Sequence, residues 1–154
     1  MGCCAELRER KEDRTDRFSE GELALGLHHL RIKDFSRALI EQDDSALRNV
    51  EDLGESFSGS AFGSKLMAAE DNSAKRLLRH ELFRSGKHFD KYHLLALGLL
   101  YARGTTPEKV DAIFNLYDMN DDGYLYTTAL RRLLKDTILI AGVLVPALIT
   151  GTKG

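Results

Sequence analysis

Apolar side chains recur at helical spacing almost throughout this chain, and no segment sustains the alternation that a half-buried strand needs. The plainest case is Val110, Ile113, Phe114 and Tyr117, at i, i+3, i+4 and i+7, which form one apolar stripe along a helix. Thr106 is placed to cap that helix, with Pro107 at its first position. The fold class this predicts is all-α. Leu23, Leu27 and Leu30 predict a helix over 19–32, and Phe35, Leu39, Leu47 and Val50 another over 35–50. A Gly/Ser-rich break over 54–60 precedes a shorter helix beginning at Leu66 and Met67. Leu77, Leu78, Leu82 and Phe83 predict a helix over 73–84, which Ser85-Gly86-Lys87-His88 interrupts. Leu94, Leu95, Leu97, Leu99 and Leu100 build a strongly apolar helix that stops near Arg103-Gly104, where glycine supplies the terminating geometry.

Composition excludes more than it identifies. A chain of 154 residues that is 43% hydrophobic, with 13 Gly and 2 Pro, belongs to neither the collagen-like nor the disordered class. At this length one core can bury about two-thirds of the unfolded surface. With 22 basic against 24 acidic side chains the net charge is −2, so no global field draws in nucleic acid, and no nucleic-acid partner is expected.

Between the stripe ending at Tyr117 and a second one at Leu130, Leu133 and Leu134 lies Asp118-Met119-Asn120-Asp121-Asp122-Gly123-Tyr124-Leu125-Tyr126-Thr127-Thr128-Ala129. Its opening matches D-x-[DN]-x-[DN]-G, the first half of an EF-hand calcium loop. Hard Ca²⁺ takes six to eight oxygens, so Asp118, Asn120 and Asp122 are candidate ligands at loop positions 1, 3 and 5, and Tyr124 offers its carbonyl at position 7. Gly123 makes the sharp turn, and Leu125 is the apolar residue that pairs with a neighbouring loop. Position 12 departs from the pattern, because Ala129 stands where a bidentate Glu belongs. Two readings stay open: a vestigial loop held by its own hydrogen bonds, or a weak Ca²⁺ site that tolerates Mg²⁺.

The run from Leu94 to Lys109 (LLALGLLYARGTTPEK) and the segment Ile113-Phe114-Asn115-Leu116-Tyr117-Asp118 resemble the neuronal calcium sensor family and, more closely, calaxin-like axonemal calcium sensors. The first resembles their linker between the second and third hands, and the second their Phe-x-x-Tyr/Phe-Asp approach to the third loop. The resemblance is specific from Phe83 to Leu134 and suggestive from Phe35 to Leu82. It implies paired EF-hand helix-loop-helix units, with degenerate first and second hands before a near-complete third. By the family's repeat length a second loop falls at Leu82 to His93, with Phe89 at position 8, and a first at Val50 to Ala61, with Phe57 there. Neither retains ligands for Ca²⁺. The resemblance further implies a regulatory subunit that receives an amphipathic target helix in an apolar groove, and N-myristoylation in several members.

Met1-Gly2-Cys3-Cys4 supports a lipid address. Gly2 is the candidate for myristate and Cys3 and Cys4 for palmitate, although Glu6 replaces the Ser or Thr of the acylation motif. Residues 6 to 17 mix Glu and Asp evenly with Arg and Lys, so no polybasic patch reinforces it, and a solvated charged segment is the alternative. Two adjacent cysteines at a terminus suit neither an ordinary disulfide nor a zinc site, which points to a reducing, cytoplasmic setting. At the other end, Ile138 to Ile149 (ILIAGVLVPALI) falls short of the about 20 residues that span a membrane. It is expected to fold back over the stripes of Val110, Phe114, Leu130 and Leu133, where a fourth hand would pack.

The 5 histidines lack the spacing of a helical zinc site, and Gly59 to Lys65 carries Gly-Ser-Lys where a phosphate loop needs Gly-Lys-Ser/Thr. No catalytic constellation stands out, so an enzyme is not expected. The organisation expected is a charged segment at 1–17, an EF-hand domain at 18–137 and an apolar tail at 138–154. The function expected is that of a non-catalytic regulatory or adaptor protein, membrane-anchored or cilium- and axoneme-associated. The alternative is a metal-independent structural subunit of an axonemal or membrane assembly.

Overall fold

Side-chain caps, more than apolar spacing, set where the helices begin. The computed structural model describes residues 20–151, with side chains to Ile149. Residues 20–25 form α1. It is followed by α2 (Ile32–Ile40), a 3₁₀ turn (Asp44–Ala46), α3 (Val50–Ser56), α4 (Ala61–Met67), α5 (Ser73–Leu78) and a second 3₁₀ turn (Glu81–Phe83). A two-residue pair of strands, β1 (Arg84–Ser85) and β2 (His88–Phe89), leads into α6 (Lys91–Tyr101), α7 (Thr106–Tyr117) and α8 (Thr127–Thr137). A π-helical stretch (Ile138–Leu144) then joins α8 to α9 (Val145–Gly151). The chain is mostly helical, as the periodicity requires.

Several expected boundaries move, each for a local reason. Asn49 accepts from the Asp52 N–H while Asp52 bonds back, a capping box that starts a new helix where the spacing suggested one long helix over 35–50. Asn72 and His80 cap α5 and the second 3₁₀ turn by accepting from the Lys75 and Leu82 N–H groups, dividing the helix expected over 73–84. The helix expected over 19–32 ends at residue 25, because Gly26 turns the chain at φ 74° and its bare Cα lies against the Ala61–Phe62 backbone. The cap of α7 is Thr105 rather than Thr106. The β1–β2 hairpin turns through Gly86 (φ 65°) and is too short to produce a periodic signal.

Val50 to Ala61 is not a loop: most of it is α3, with Phe57 at the C-cap, so the register expected for the first hand is wrong. The connecting loop lies instead between Ile40 and Val50. There the Leu47 carbonyl accepts from the Phe89 N–H at 2.8 Å, tying this loop to the hairpin before α6. Phe89 thus meets a neighbouring loop, but its partner is Leu47 and not Phe57.

One core joins all of this. Phe35, Phe57 and Phe62 pack as a trio with ring centroids 4.9, 5.9 and 5.0 Å apart, surrounded by Leu39, Leu53, Leu66 and Leu97. The Ile32 N–H donates to the Arg103 carbonyl and the Arg103 N–H to Leu30, so the start of α2 is bonded to the end of α6.

The tail does not fold back over α7 and α8. It continues α8 without a turn, buries Ile140 and Val145 in the same core, and sets α9 against α5, with Val145 beside Gly21 and Tyr101. In the π stretch the Val145 N–H reaches the Ile140 carbonyl, and Pro146, which has no N–H to donate, follows directly where the helix passes from π to α. Val110 (60% exposed) and Leu130 (44%) therefore stay in solvent.

A Cβ at Gly98 would overlap the Phe35 ring, whereas one at Gly142 meets only Ile138 at 3.7 Å. Gly98→Ala should lower unfolding free energy by about 1–3 kcal/mol. Gly142→Ala should raise it by up to about 1 kcal/mol. Urea denaturation of the two variants checks both signs.

Candidate functional site

Helix α7 delivers Asp118 at its C-cap, 9% exposed, and the chain then wraps around that carboxylate. Asp118 Oδ2 accepts from the Gly123 N–H at 2.9 Å and Oδ1 from the Asp122 N–H at 3.4 Å. The wrap needs two left-handed residues, Asp121 (φ 53°) and Gly123 (φ 82°). An Asp tolerates that region through its short polar side chain, and glycine enters it freely. Gly123 thus makes the turn that its position in the motif called for.

Asp122 is held by the loop itself. Its Oδ1 accepts from the Tyr124 N–H at 3.1 Å and its Oδ2 from the Tyr126 hydroxyl at 2.9 Å. The Tyr124 N–H, then the Tyr126 hydroxyl, hold the Asp122 carboxyl below its usual range, and the Tyr126 phenol is raised by the same bond. Tyr124 and Tyr126 are exposed, and α8 begins directly afterwards, at Thr127. A cleft of ≈ 240 Å³ lies beside the loop, bounded by Tyr92, Tyr117, Asp118, Asn120, Ala129 and Arg132.

Asp118, Asn120 and Asp122 stand on one tight turn, with the Tyr124 carbonyl following. All are hard oxygen donors of the kind Ca²⁺ and Mg²⁺ take. In number they fall short of six to eight, since Ala129 contributes no oxygen and one Asp122 oxygen already holds Tyr126. Water would have to complete the sphere of any ion there. Among the described residues no three or more His, Cys, Asp or Glu side chains converge as a metal site. An ion at this loop would therefore depend on Asn120 and on backbone oxygen. Gly2, Cys3 and Cys4 lie outside the described residues, so their expected acylation has no structural counterpart here.

Behind the loop is a polar network that spacing did not reveal. The Tyr117 hydroxyl donates to Asp136 Oδ2 at 2.8 Å, and His93 Nε2 lies 3.4 Å from the same oxygen. His93 Nδ1 is 2.7 Å from Asp90 Oδ2, while Asp90 Oδ1 caps α6 by accepting from the Tyr92 N–H. Tyr92 meets Tyr117 edge-on at 5.1 Å with the Arg132 guanidinium 5.2 Å from its own ring centre. One side chain from each of α6, α7 and α8 meets at Asp136, so the loop hangs from a fixed base. The available signal was Asp136 itself, a lone acid at the end of a basic helix, and spacing alone gave it no partner.

Comparison with protein-family models, with curated proteins and with solved structures finds no match for this chain. Fold and site together define an all-α protein of short, capped helices with one tight acidic turn. Among the described residues no helix is long and apolar enough to cross a membrane.

Burial pushes the Tyr101 phenol up to about 12, and burial followed by the Asp136 bond pushes Tyr117 above its usual range. An unfolded tyrosine titrates near 10, so the stability these phenols contribute is complete below about pH 10, and that of Tyr101 is lost as pH climbs through about 12. Melting temperature should fall steeply between about pH 10 and about pH 12. Tyr101→Phe, with no proton to lose, should show a smaller drop over that range in a calorimetric pH series.

Proposed function

We propose that this chain is a non-catalytic adaptor or regulatory protein built from EF-hand units, with weak or lost Ca²⁺ binding, that acts by holding a segment of another protein. The observation that carries the reading is the turn from Asp118 to Ala129. It is acidic at positions 1 and 5, left-handed at Gly123 and set between two helices, yet it has no side-chain oxygen at its last position. The helix-loop-helix formed by α2 and α3, bonded through Leu47 to Phe89, supports the idea of paired units. In that pairing Asp118, Asn120, Asp122 and the Tyr124 carbonyl would hold Ca²⁺ or Mg²⁺, and the ion would supply only local rigidity.

The partner proposed is an amphipathic helix. Val110, Leu130, Leu134 and Ile138 are exposed along α7, α8 and the π stretch, and apolar side chains in such a row are what a partner helix covers. Acylation at Gly2, Cys3 and Cys4 would place the complex at a cytoplasmic membrane surface or in a cilium. A second reading, a structural subunit with no metal, draws on the Asp122 carboxylate being satisfied by Tyr124 and Tyr126.

Titration calorimetry separates the two. The wild-type chain should bind Ca²⁺ more weakly than the micromolar sensor range, and Ala129→Glu should tighten binding at least tenfold, about 1.4 kcal/mol. Micromolar binding by the wild type would overturn the degenerate-site reading, and no gain on Ala129→Glu would favour the metal-free scaffold.

A further inference from the structure

The fold gathers at one place basic residues that the sequence scatters. Arg48 lies just before α3, Lys75 and Arg79 come from α5 and its C-cap, and Arg84 and Lys87 come from the β1–β2 hairpin. Arg48, Val50, Lys75, Leu78, Arg84 and Phe89 line a cleft of ≈ 480 Å³. Leu78 and Phe89 close it from the core side and are 1% and 2% exposed, so the half-buried Val50 is the apolar side chain it presents. A second hollow of ≈ 300 Å³ continues past Arg48 to Lys87 and His88.

Both arginines are held by main-chain carbonyls. Arg84 donates to the carbonyls of Arg48 at 2.7 Å and Lys87 at 3.3 Å, with its guanidinium 4.7 Å from the Phe89 ring centre. Arg48 Nε donates to the Ser45 carbonyl at 3.2 Å. A guanidinium has five N–H donors, so each keeps several for a ligand in a fixed orientation. Among the described residues ion pairs form at Arg76, Arg79, Lys91 and His93, which leaves Arg48, Lys75, Arg84 and Lys87 with no carboxylate within 4.0 Å. Glu51 is the acid that lines the cleft, and the nearby Asp52 carboxylate is engaged by the Arg48 and Asn49 N–H groups. In a chain of net charge −2 this is a concentrated positive field over a hollow.

We infer that this cleft docks an acidic segment of a partner protein, its carboxylates on Arg48 and Arg84 and an apolar side chain beside Val50. The inference rests on the reading that the chain works by binding protein, but it uses a surface separate from the Val110–Leu130 row and independent of the acidic turn. Concavity favours a peptide over a membrane, because a flat lipid surface does not enter a hollow between basic walls.

The test is fluorescence anisotropy of the full chain with a fluorescein-labelled repeating Leu-Glu-Glu peptide and its Leu-Lys-Lys counterpart. The acidic peptide should bind and the basic one should not, with affinity falling several-fold between about 50 and 200 mM salt. Lys87→Glu and Arg48→Ala should each weaken binding at least about fivefold, with melting temperature and Ca²⁺ titration unchanged. Arg84→Lys, which keeps the charge but loses the fork, should weaken it less than Lys87→Glu. Equal binding of both peptides, or undiminished binding by Lys87→Glu and Arg48→Ala, overturns the inference. So does displacement by inorganic phosphate at lower concentration than by glutamate, which would make the cleft a phosphate site. Retention on phosphatidylserine vesicles that Lys87→Glu abolishes would make it a lipid site and overturn the inference as well. None of these outcomes bears on the calcium titration.

Discussion

The contact between Phe35 and Gly98 is the constraint on which most of this architecture depends. Glycine in the middle of α6 lets the Phe35 ring come down onto the helix backbone, and that approach seats α2 across α6. With Phe35 in place, Phe57 and Phe62 close around it from the ends of α3 and α4, which merges the α3–α4 pair with the α2–α6 pair. Burying an aromatic ring of this kind contributes about 1.5–3 kcal/mol, a sizeable share of the net stability of a domain. The Ile32–Arg103 and Arg103–Leu30 hydrogen bonds hold the same two helices at their ends, so α2 cannot slide.

From that centre the structure reaches the acidic turn through apolar contacts of Ala112, Ile113 and Leu116 with the core and through a polar network at the end of α7. Of α7, Tyr117 is the fully buried apolar residue, and its hydroxyl is committed to Asp136. Asp136 in turn meets His93, whose other ring nitrogen meets Asp90 at the head of α6. A buried carboxylate is tolerated where several donors converge on it, and here they come from two different helices. The α7–α8 unit is therefore attached to the main body by Ile113 and Leu116 together with a directional network, while Val110, Leu130 and Leu134 face solvent. The tail strengthens this attachment from the far side, where Ile140 and Val145 enter the core below α8.

Much of this was legible in order along the chain. The all-α class, the apolar α6 and the turn at Gly123 follow from local rules of spacing, capping and φ preference, whereas the core stripe expected on α7 did not hold at Val110, which is exposed. Those rules failed where apolar spacing happened to run on across a break. Leu39 and Leu47 suggested one helix, although Asn49 and Asp52 carried a capping box that marked a new start. The loop expected at Val50 to Ala61 was displaced by the same capping box, and the Leu47–Phe89 hydrogen bond shows where the connecting loop lies.

By itself, then, the sequence determined the helical period, the helix starts written into its caps, and the acidic turn with an alanine in its last position. These are properties of residues within a few positions of one another, and they act before any distant contact forms. Only the tertiary structure decided that the tail runs on from α8 into the core instead of covering α7. It also brought His93 and Asp136 together behind the turn, and Arg48 together with Arg84 over Phe89. Such meetings depend on how whole helices seat against one another, which the Phe35–Gly98 contact governs and which no local pattern encodes.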